Sequence, residues 1–351
     1  MLRTVGILVV GAIVGWLAAL VGIPLPWLIG PLVATATIAL FGVQLKPPPL
    51  IRKIGQCVAA TAIGMSFSPE IVETLAGYVD VMIVTAAGSM LASILIARLT
   101  SKIAHISFQT AYFACLPGGV VEMSVLAERY GGETALVALA QSLRIILVVL
   151  SIPVAIVALS AAADEAAYAA TAPQQIDLLA LAIMMAAAFA LGTAFERVRL
   201  MNAWFLAGLV VGAGVALLEL PASHVPFEMV DAAQVMIGCA LGARIDRAII
   251  VRLRHFLPAT IMSTALLILF NVGMAWLACK WTGIDLPALV LALAPGGVAE
   301  MSITAKALHL AVPLVTAFHL VRVLMIILCS APVYRGAVWI GARLTDRQPA
   351  E

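Results

Sequence analysis

The chain alternates long apolar runs with short polar connections, a pattern that predicts a bundle of membrane-spanning helices. A bilayer core of about 30 Å requires about 20 apolar residues in a helix. Two apolar segments, 106–128 and 284–308, are each interrupted in the middle by Pro-Gly-Gly. The uninterrupted candidate spans lie near residues 5–22, 26–43, 54–67, 76–97, 134–157, 178–195, 203–219, 231–243, 256–279 and 312–334. We therefore expect an all-α polytopic membrane protein with about ten transmembrane helices and two broken or re-entrant segments.

Composition supports a membrane protein and excludes several other classes. Of the 351 residues, 64% are hydrophobic and 11% are charged, whereas soluble proteins carry about 25% charged residues. A formal net charge of +2, without a long basic run, argues against a nucleic-acid partner. We expect the lipid bilayer and a small-molecule solute as partners, and a homo-oligomer is compatible with the sequence.

An internal duplication spans nearly the whole chain. The octapeptide at 117–124, PGGVVEMS, recurs at 295–302 as PGGVAEMS, with seven of eight residues identical and an offset of 178. Collinear matches on both sides make this repeat strong evidence of duplication. The same offset relates these further pairs: Gln56 with Gln234, Gly64 with Gly242, Gln141 with His319, and Arg144 with Arg322.

The charges of equivalent loops predict that the two halves are inverted in the membrane. Positive residues in short loops mark the cytoplasmic side. The loop at 44–53 carries three basic residues, whereas its counterpart at 221–231 carries none. The stretch at 66–80 is acidic, whereas its counterpart at 244–258 contains four arginines. Equivalent loops with opposite charge are what inverted repeats require.

These signs predict a topology with both termini in the cytoplasm of a bacterial inner membrane. The first repeat covers 1–160, an extracytoplasmic connector 161–176, and the second repeat 177–351. Each half has an odd number of crossings if its Pro-Gly-Gly segment enters and returns. A variant in which the broken helix crosses and another span does not remains open, whereas six full crossings per half would give parallel repeats.

The Pro-Gly-Gly segments are the expected functional site. Pro117 removes a backbone donor, and Gly118 and Gly119 permit an unwound turn; Pro295, Gly296 and Gly297 repeat this arrangement. Each break falls near the bilayer midplane, where unwound backbone is tolerated only beside protein or a water-filled cavity. The half-helix that follows directs free N–H groups and a positive dipole end into that cavity.

Polar residues next to each break are candidate ligands. Glu122 and Glu300 lie in the first turn of the second half-helices, where they either carry an ion or proton or merely cap the helix. Ser124 and Ser302 either supply hydroxyl ligands or bond to their own backbone.

Arg144 and Arg322 lie about 15 Å into their spans, where a charge is costly. They either bind an anionic substrate or form ion pairs with the two glutamates.

Four further polar residues are candidates for the same cavity. Gln141 and His319 precede the arginines by three residues and share their helix faces. The histidine would make one site proton-sensitive, although a buried polar spacer is the plainer alternative. Gln56 and Gln234 would complete the cavity.

We expect no metal site, no catalytic residues and no cofactor other than a coupling Na+ or H+. No two of the five histidines are three or four residues apart, and the five cysteines are widely separated. This argues against a metal-dependent oxidase and favours cysteines that act as small buried apolar residues.

The duplicated PGG-V-x-EMS motif, at 117–124 and 295–302, resembles the AbrB family of duplicated bacterial inner-membrane proteins. This family is distinct from the soluble DNA-binding regulator of the same name. Its members are labelled regulator of gene expression or ammonia monooxygenase, and the residues above support neither label. The resemblance implies a membrane protein with both motif copies intact.

The residues themselves favour a secondary transporter that moves a small anionic or zwitterionic solute by alternating access. The alternative is a membrane-embedded regulator of gene expression that acts through a protein partner without transport. An enzyme is the least favoured class.

Overall fold

In a computed structural model, which describes residues 2–160, 176–220 and 223–345, the described chain consists of helices and their connections without a β-strand. The first half contains α1 (Leu2–Leu20), α2 (Pro26–Leu40), α3 (Pro49–Gly64), α4 (Pro69–Ala76), α5 (Val79–Ala104), α6 (Phe108–Cys115), α7 (Val120–Arg129) and α8 (Thr134–Ser160). The second contains α9 (Leu178–Arg197), α10 (Ala203–Leu217), α11 (Phe227–Gly242), α12 (Arg247–Arg252), α13 (Leu257–Thr282), α14 (Leu286–Leu293), α15 (Val298–Ala307) and α16 (Val312–Thr345).

The two halves have the same order of helices, and equivalent helices have similar lengths, so the duplication is visible in secondary structure. All but the last residue of the predicted connector at 161–176 lies outside the described residues. Two short helices, α4 and α12, occupy stretches that the charge pattern treats as loops. Ser68 caps α4, and Asp246 caps α12 by accepting from Ala248 N at 2.8 Å; such capping residues satisfy the free N–H groups of a first turn.

The structure supports a multi-pass membrane protein. Within the described residues, five helices are long and apolar enough to cross a bilayer: Val79–Ala104, Thr134–Ala158, Leu178–Arg197, Leu257–Thr282 and Val312–Trp339. The other five predicted spans correspond to α1, α2, α3, α10 and α11, which have 15 to 19 residues. At 1.5 Å per residue these reach about 22–29 Å, so crossing by all ten remains a prediction.

The helices form two groups, and each group mixes both halves. The six-helix group contains α1, α2, α3, α9, α10 and α11, and the elbow group contains α5 to α8 and α13 to α16. Within the six-helix group, α10 packs on α3 as α2 packs on α11. The helices approach each other closely at these contacts. A β carbon at Gly212 would overlap the Thr61 carbonyl, and one at Gly242 would overlap the Leu32 carbonyl. Small residues four apart permit such approach between membrane helices.

The Pro-Gly-Gly segments interrupt their helices as the sequence predicts. The first elbow, Leu116–Gly119, separates α6 from α7, and the second elbow, Ala294–Gly297, separates α14 from α15. Glu133 N donates to Thr110 Oγ1 at 3.0 Å, so the chain leaves the first broken segment beside the point where it enters. The rings of Phe113 and Tyr130 stack there with centroids 5.7 Å apart. This segment is therefore a hairpin.

Candidate functional site

Both elbows line one cavity of about 1170 Å3 that reaches the surface of the protein. Its walls come from the two elbow segments, the chain before and within α3, and the α9–α10 connection. Ten of the sixteen predicted site residues line it: Gln56, Pro117, Gly118, Gly119, Glu122, Arg144, Gly296, Gly297, Glu300 and Arg322. The other six, which we describe below, do not line it: Ser124, Gln141, Gln234, Pro295, Ser302 and His319.

The two glutamates fold back over the elbows that precede them. Glu122 and Glu300 are third in α7 and α15, and a β carbon at Gly119 or Gly297 would overlap their carboxylates. A glutamate at this position suits the positive end of its helix dipole. Their surroundings differ, because Glu122 is half-buried, whereas Glu300 is 1% exposed.

Arg144 binds the unwound backbone of both elbows. Its NH1 donates to Leu116 O at 3.1 Å, and its NH2 donates to Gly118 O at 3.3 Å. Its Nε donates to Pro295 O of the other half at 3.1 Å. The guanidinium therefore satisfies carbonyl groups that the broken helix leaves free. Within the described part of the chain, no salt bridge joins Arg144 or Arg322 to either elbow glutamate.

Arg322 makes the equivalent contacts in its own half. It donates to Ala294 O, and its NH2 donates to Gly296 O at 2.7 Å. Both acceptors lie 178 residues after the acceptors of Arg144, so the repeat is reproduced at the level of single hydrogen bonds. The symmetry is incomplete, because the Nε of Arg322 has no hydrogen-bond partner among the described residues.

The residues that precede the arginines have the same task. Gln141 Nε2 donates to Phe113 O at 2.7 Å, and His319 Nε2 lies 3.1 Å from Leu291 O. These acceptors are again 178 residues apart. Both side chains are 0% exposed, and both bind the carboxyl end of a first half-helix. Their contacts fit the buried polar spacer among the predicted alternatives.

The remaining candidates bond locally. Ser124 Oγ donates to Val120 O in its own helix at 2.7 Å. The Oγ of Ser302, which is 0% exposed, lies 2.9 Å from Thr316 Oγ1. Gln234 Nε2 donates to Asp231 Oδ1 at 3.3 Å. Of the predicted candidates, the elbow backbone, the two arginines, the two glutamates and Gln56 are therefore the polar groups that line the cavity.

Two arginines that the repeat analysis did not select complete this surface. Arg52 lies on α3 and Arg244 lies just after α11, and Arg52 NH2 is 3.6 Å from Glu300 Oε1. Arg52 Nε, Arg244 NH1 and Glu300 Oε1 are buried without a hydrogen-bond partner among the described residues. The cavity therefore places two guanidinium groups beside one carboxylate, whose Oε1 lies within ion-pair distance of Arg52.

At the mouth of the cavity, an ion pair joins the two halves of the chain. Lys53 Nζ binds Glu196 Oε1, and Trp204 Nε1 donates to Glu196 Oε2 at 2.9 Å. Both carboxylate oxygens are thus occupied. Among the described residues, no group of three or more His, Cys, Asp or Glu side chains is arranged to hold a metal ion.

Comparison with known proteins assigns the chain to a family. The model of the family described as "Transition state regulatory protein AbrB" matches residues 27–337. A relative in Bacillus subtilis, named "Uncharacterized protein YhjN", is 26% identical over 367 residues, covering 95% of this chain and 93% of the relative. A relative in Escherichia coli, named "Putative regulator AbrB", is 26% identical over 328 residues, covering 92% of both chains. The predicted family is confirmed: this chain belongs to the AbrB family.

Proposed function

We propose that this protein is a secondary transporter that moves a small anionic or zwitterionic solute across the bacterial inner membrane by alternating access. In this proposal it is not an enzyme, and its only cofactor is a coupling H+ or Na+. The observation that carries the proposal is the cavity in which both elbows meet. Broken helices that meet at the interface of inverted repeats form the substrate site of several secondary transporters.

The charges of the cavity favour an anionic group on the solute. Seven basic side chains line it, against three acidic ones. The first turns of α7 and α15 add the positive ends of two helix dipoles. The basic residues are Lys46, Arg52, Lys53, Arg144, Arg199, Arg244 and Arg322, and the acidic residues are Glu122, Glu196 and Glu300. A carboxylate or phosphate group is the ligand that the guanidinium groups of Arg52 and Arg244 would favour.

The same charges orient the proposed transporter in the membrane. Exposed basic residues at the cavity mouth, Lys46 and Arg199, belong on the cytoplasmic side by the distribution of positive charge. The structure would then represent an inward-open state. Inverted repeats supply the outward-open state, because exchanging the conformations of the two halves moves the opening to the other side.

The packing of the two helix groups identifies a contact that this exchange would break. Lys306 Nζ of α15 donates to Ala62 O of α3 at 2.7 Å, which joins the elbow group to the six-helix group. The equivalent pair in the other half is Glu128 of α7 and Ala240 of α11. Glu128 is exposed, and Ala240 lines the cavity. Closing the cavity on the cytoplasmic side would bring α7 against α11.

Crosslinking in proteoliposomes tests this exchange. In a variant whose five native cysteines are replaced, we would introduce the pair Ala62→Cys and Lys306→Cys, or the pair Glu128→Cys and Ala240→Cys. A short bifunctional thiol reagent should link both pairs, and the second pair should be linked only while the protein is cycling. Each crosslink should stop uptake, and cleaving it should restore uptake.

Single-cysteine variants at the same positions serve as controls. Failure to crosslink the second pair, in protein that does crosslink the first, would contradict alternating access. The absence of uptake for every anionic and zwitterionic solute tested, together with no solute binding, would reject the transport proposal itself.

A regulator without transport activity is the second candidate, which the name of the Escherichia coli relative favours. It predicts a stable protein partner at the arginine-rich segment of α12. Substituting Arg247 or Arg252, both on α12, should then abolish the signal without changing solute binding. Co-purification of such a partner, together with an inert cavity, would favour this candidate.

A further inference from the structure

A second, smaller chamber lies deep in the elbow group, between α5, α13, α14 and α16. Its volume is about 10 Å3. This is room for one water molecule or a single-atom ion but not for a carboxylate. Its lining consists of Met82, Thr85, Ala86, Ser89, Asn271, Ala292, Leu293, Phe318 and Arg322. The chamber is therefore apolar except for four side chains.

Three of these polar side chains are buried and have no partner for one or more polar atoms. Asn271 is 2% exposed, Ser89 is 3% exposed and Arg322 is 5% exposed. Both amide atoms of Asn271, the Oγ of Ser89 and the Nε of Arg322 lack a hydrogen-bond partner within the described part of the chain. Leaving a buried polar group unpaired costs about 1–3 kcal/mol, so three groups around one space point to a bound ligand.

The equivalent positions in the other half make different contacts. There the Nε of Arg144 donates to Pro295 O at 3.1 Å, whereas the Nε of Arg322 is left for another acceptor. The position equivalent to Asn271 is Ser93, whose hydroxyl bonds to Ser89 O at 2.8 Å. The unpaired polar atoms of the chamber, which lie on helices of both halves, are thus not reproduced at the equivalent positions of the repeat.

The charge of Arg322 decides which ligand fits. A buried charge is costly unless it is paired, and no described carboxylate lies within 4.0 Å of this guanidinium. A cation in the chamber would be repelled by it. A water molecule would bond to the donors but would leave the charge unpaired. A single-atom anion carries the opposite charge and accepts hydrogen bonds, and Arg322, Asn271 and Ser89, which line the chamber, each have an unpaired donor.

We propose that this chamber binds one monovalent anion of halide size, with chloride as the physiological ligand. The anion pairs with Arg322 from the side that the elbow carbonyls leave free, and it thereby holds the second elbow in place. Arg322 lines both this chamber and the solute cavity, but none of the other residues that line the chamber lines that cavity. The anion site does not depend on the transport proposal, since a regulator with the same fold would bind the anion equally.

The test compares the purified full-length protein in chloride and in gluconate at equal ionic strength. Chloride and bromide should raise the Tm saturably by a few degrees, because a ligand that binds only the folded state stabilises it by mass action. Gluconate is too large for the chamber and should have no such effect. Radiolabelled chloride should bind with the same midpoint as the rise in Tm.

Two variants and one control distinguish this site from a general salt effect. Asn271→Leu should abolish chloride binding and the chloride-dependent rise in Tm. Ser89→Ala, a milder change in case the first variant fails to fold, should weaken chloride binding about fivefold to tenfold, the value of one hydrogen bond. Ser263→Ala is the matched control: this serine is the repeat equivalent of Thr85, bonds to Thr260 O at 2.9 Å, and does not line the chamber.

Three results would overturn the proposal. Equal Tm values in chloride and gluconate, with no bound radiolabel, would show that the chamber binds water alone. An unchanged chloride effect in folded Asn271→Leu would show that the anion binds elsewhere. Loss of the effect in Ser263→Ala as well would assign it to general stability.

Discussion

The second half-helices, α7 and α15, share the EMS motif but have very different surroundings. On α7, Val121 is 70% exposed and Val125 is 57% exposed. The equivalent residues of α15, Ala299 and Ile303, are 3% and 2% exposed. α15 is docked between α3 and α16, whereas α7 packs mainly on α6 and α8. The same EMS motif therefore occupies one docked and one undocked position.

The contacts that hold each elbow are nevertheless the same in the two halves. Arg144 and Arg322 bind carbonyl groups that are 178 residues apart, as do Gln141 and His319. The elbow and its polar clamp therefore form a local unit. Whether the second half-helix of the unit is docked or exposed does not depend on these contacts. Alternating access would exchange the docked and exposed positions between the two halves.

The largest expected effect comes from removing the arginine that connects the halves. Arg144→Met should lower the free energy of unfolding by about 3–5 kcal/mol, as when a buried charged network loses one partner. Arg322→Met should cost less, because Arg322 donates to two carbonyl groups of its own half, whereas Arg144 also binds Pro295. Denaturation of both variants in detergent, with Arg98→Met as an additional reference, provides the measurement. Equal losses would mean that the contact between the halves contributes nothing.

The next effect separates the two elbow glutamates. Glu300→Gln should lower stability by about 1–3 kcal/mol, because it leaves Arg52 without its carboxylate partner in a buried site. Glu122→Gln should have less than half of this effect, since Glu122 is half-buried. Thermal unfolding of the two variants measures the difference, with Glu128→Gln, exposed on the same helix as Glu122, as control. The reverse order would mean that α7 is the docked half-helix in solution.

The sequence predicts both elbows because helix breaking is local. Pro-Gly-Gly interrupts a helix wherever it occurs, and a duplicated motif identifies the equivalent partners of each residue. Pairing equivalent residues of the two repeats does not select Arg52 and Arg244, because the residues at the equivalent positions are Val230 and Ser66. Only the packing of α3 and α11 brings these two arginines to Glu300.

Comparison of the two repeats also does not predict how the halves differ in burial. Because the motif is the same at 117–124 and 295–302 except at one position, nothing in it predicts that α15 is buried and α7 is exposed. Asn271 and Ser89 have equivalents in Ser93 and Leu267, so a search for conserved pairs rejects them. Unpaired polar atoms in the folded chain are the signal that identifies them.

Replacing His319 by glutamine, the residue type at the equivalent position 141, should have a smaller effect on stability. His319 has one contact to a carbonyl group, and its Nδ1 is buried without a partner among the described residues. Gln141 donates from one amide nitrogen to Phe113 O and Leu116 O at 2.7 and 2.8 Å. His319→Gln should therefore raise stability by about 1 kcal/mol, the net value of one hydrogen bond. Unfolding in urea provides the measurement, with Gln141→His as the opposite exchange. A loss of stability in His319→Gln would show that the imidazole has a role beyond capping α14.

The smallest effect is expected at the mouth of the cavity, where Lys53 binds Glu196. The pair joins α3 to α9, and both helices belong to the six-helix group. The proposed alternating access would move the elbow group against the six-helix group, so this ion pair would not need to break during the cycle. Exposed ion pairs contribute little to stability, and Trp204 keeps its bond to Glu196 when the lysine is replaced. Lys53→Met should therefore leave both Tm and uptake within the error of measurement.

Lys306→Met, which removes the contact between the elbow group and the six-helix group, should change the rate of uptake. If Lys53→Met altered uptake as strongly as Lys306→Met, the boundary between the moving groups would lie between α3 and α9 and not between α3 and α15.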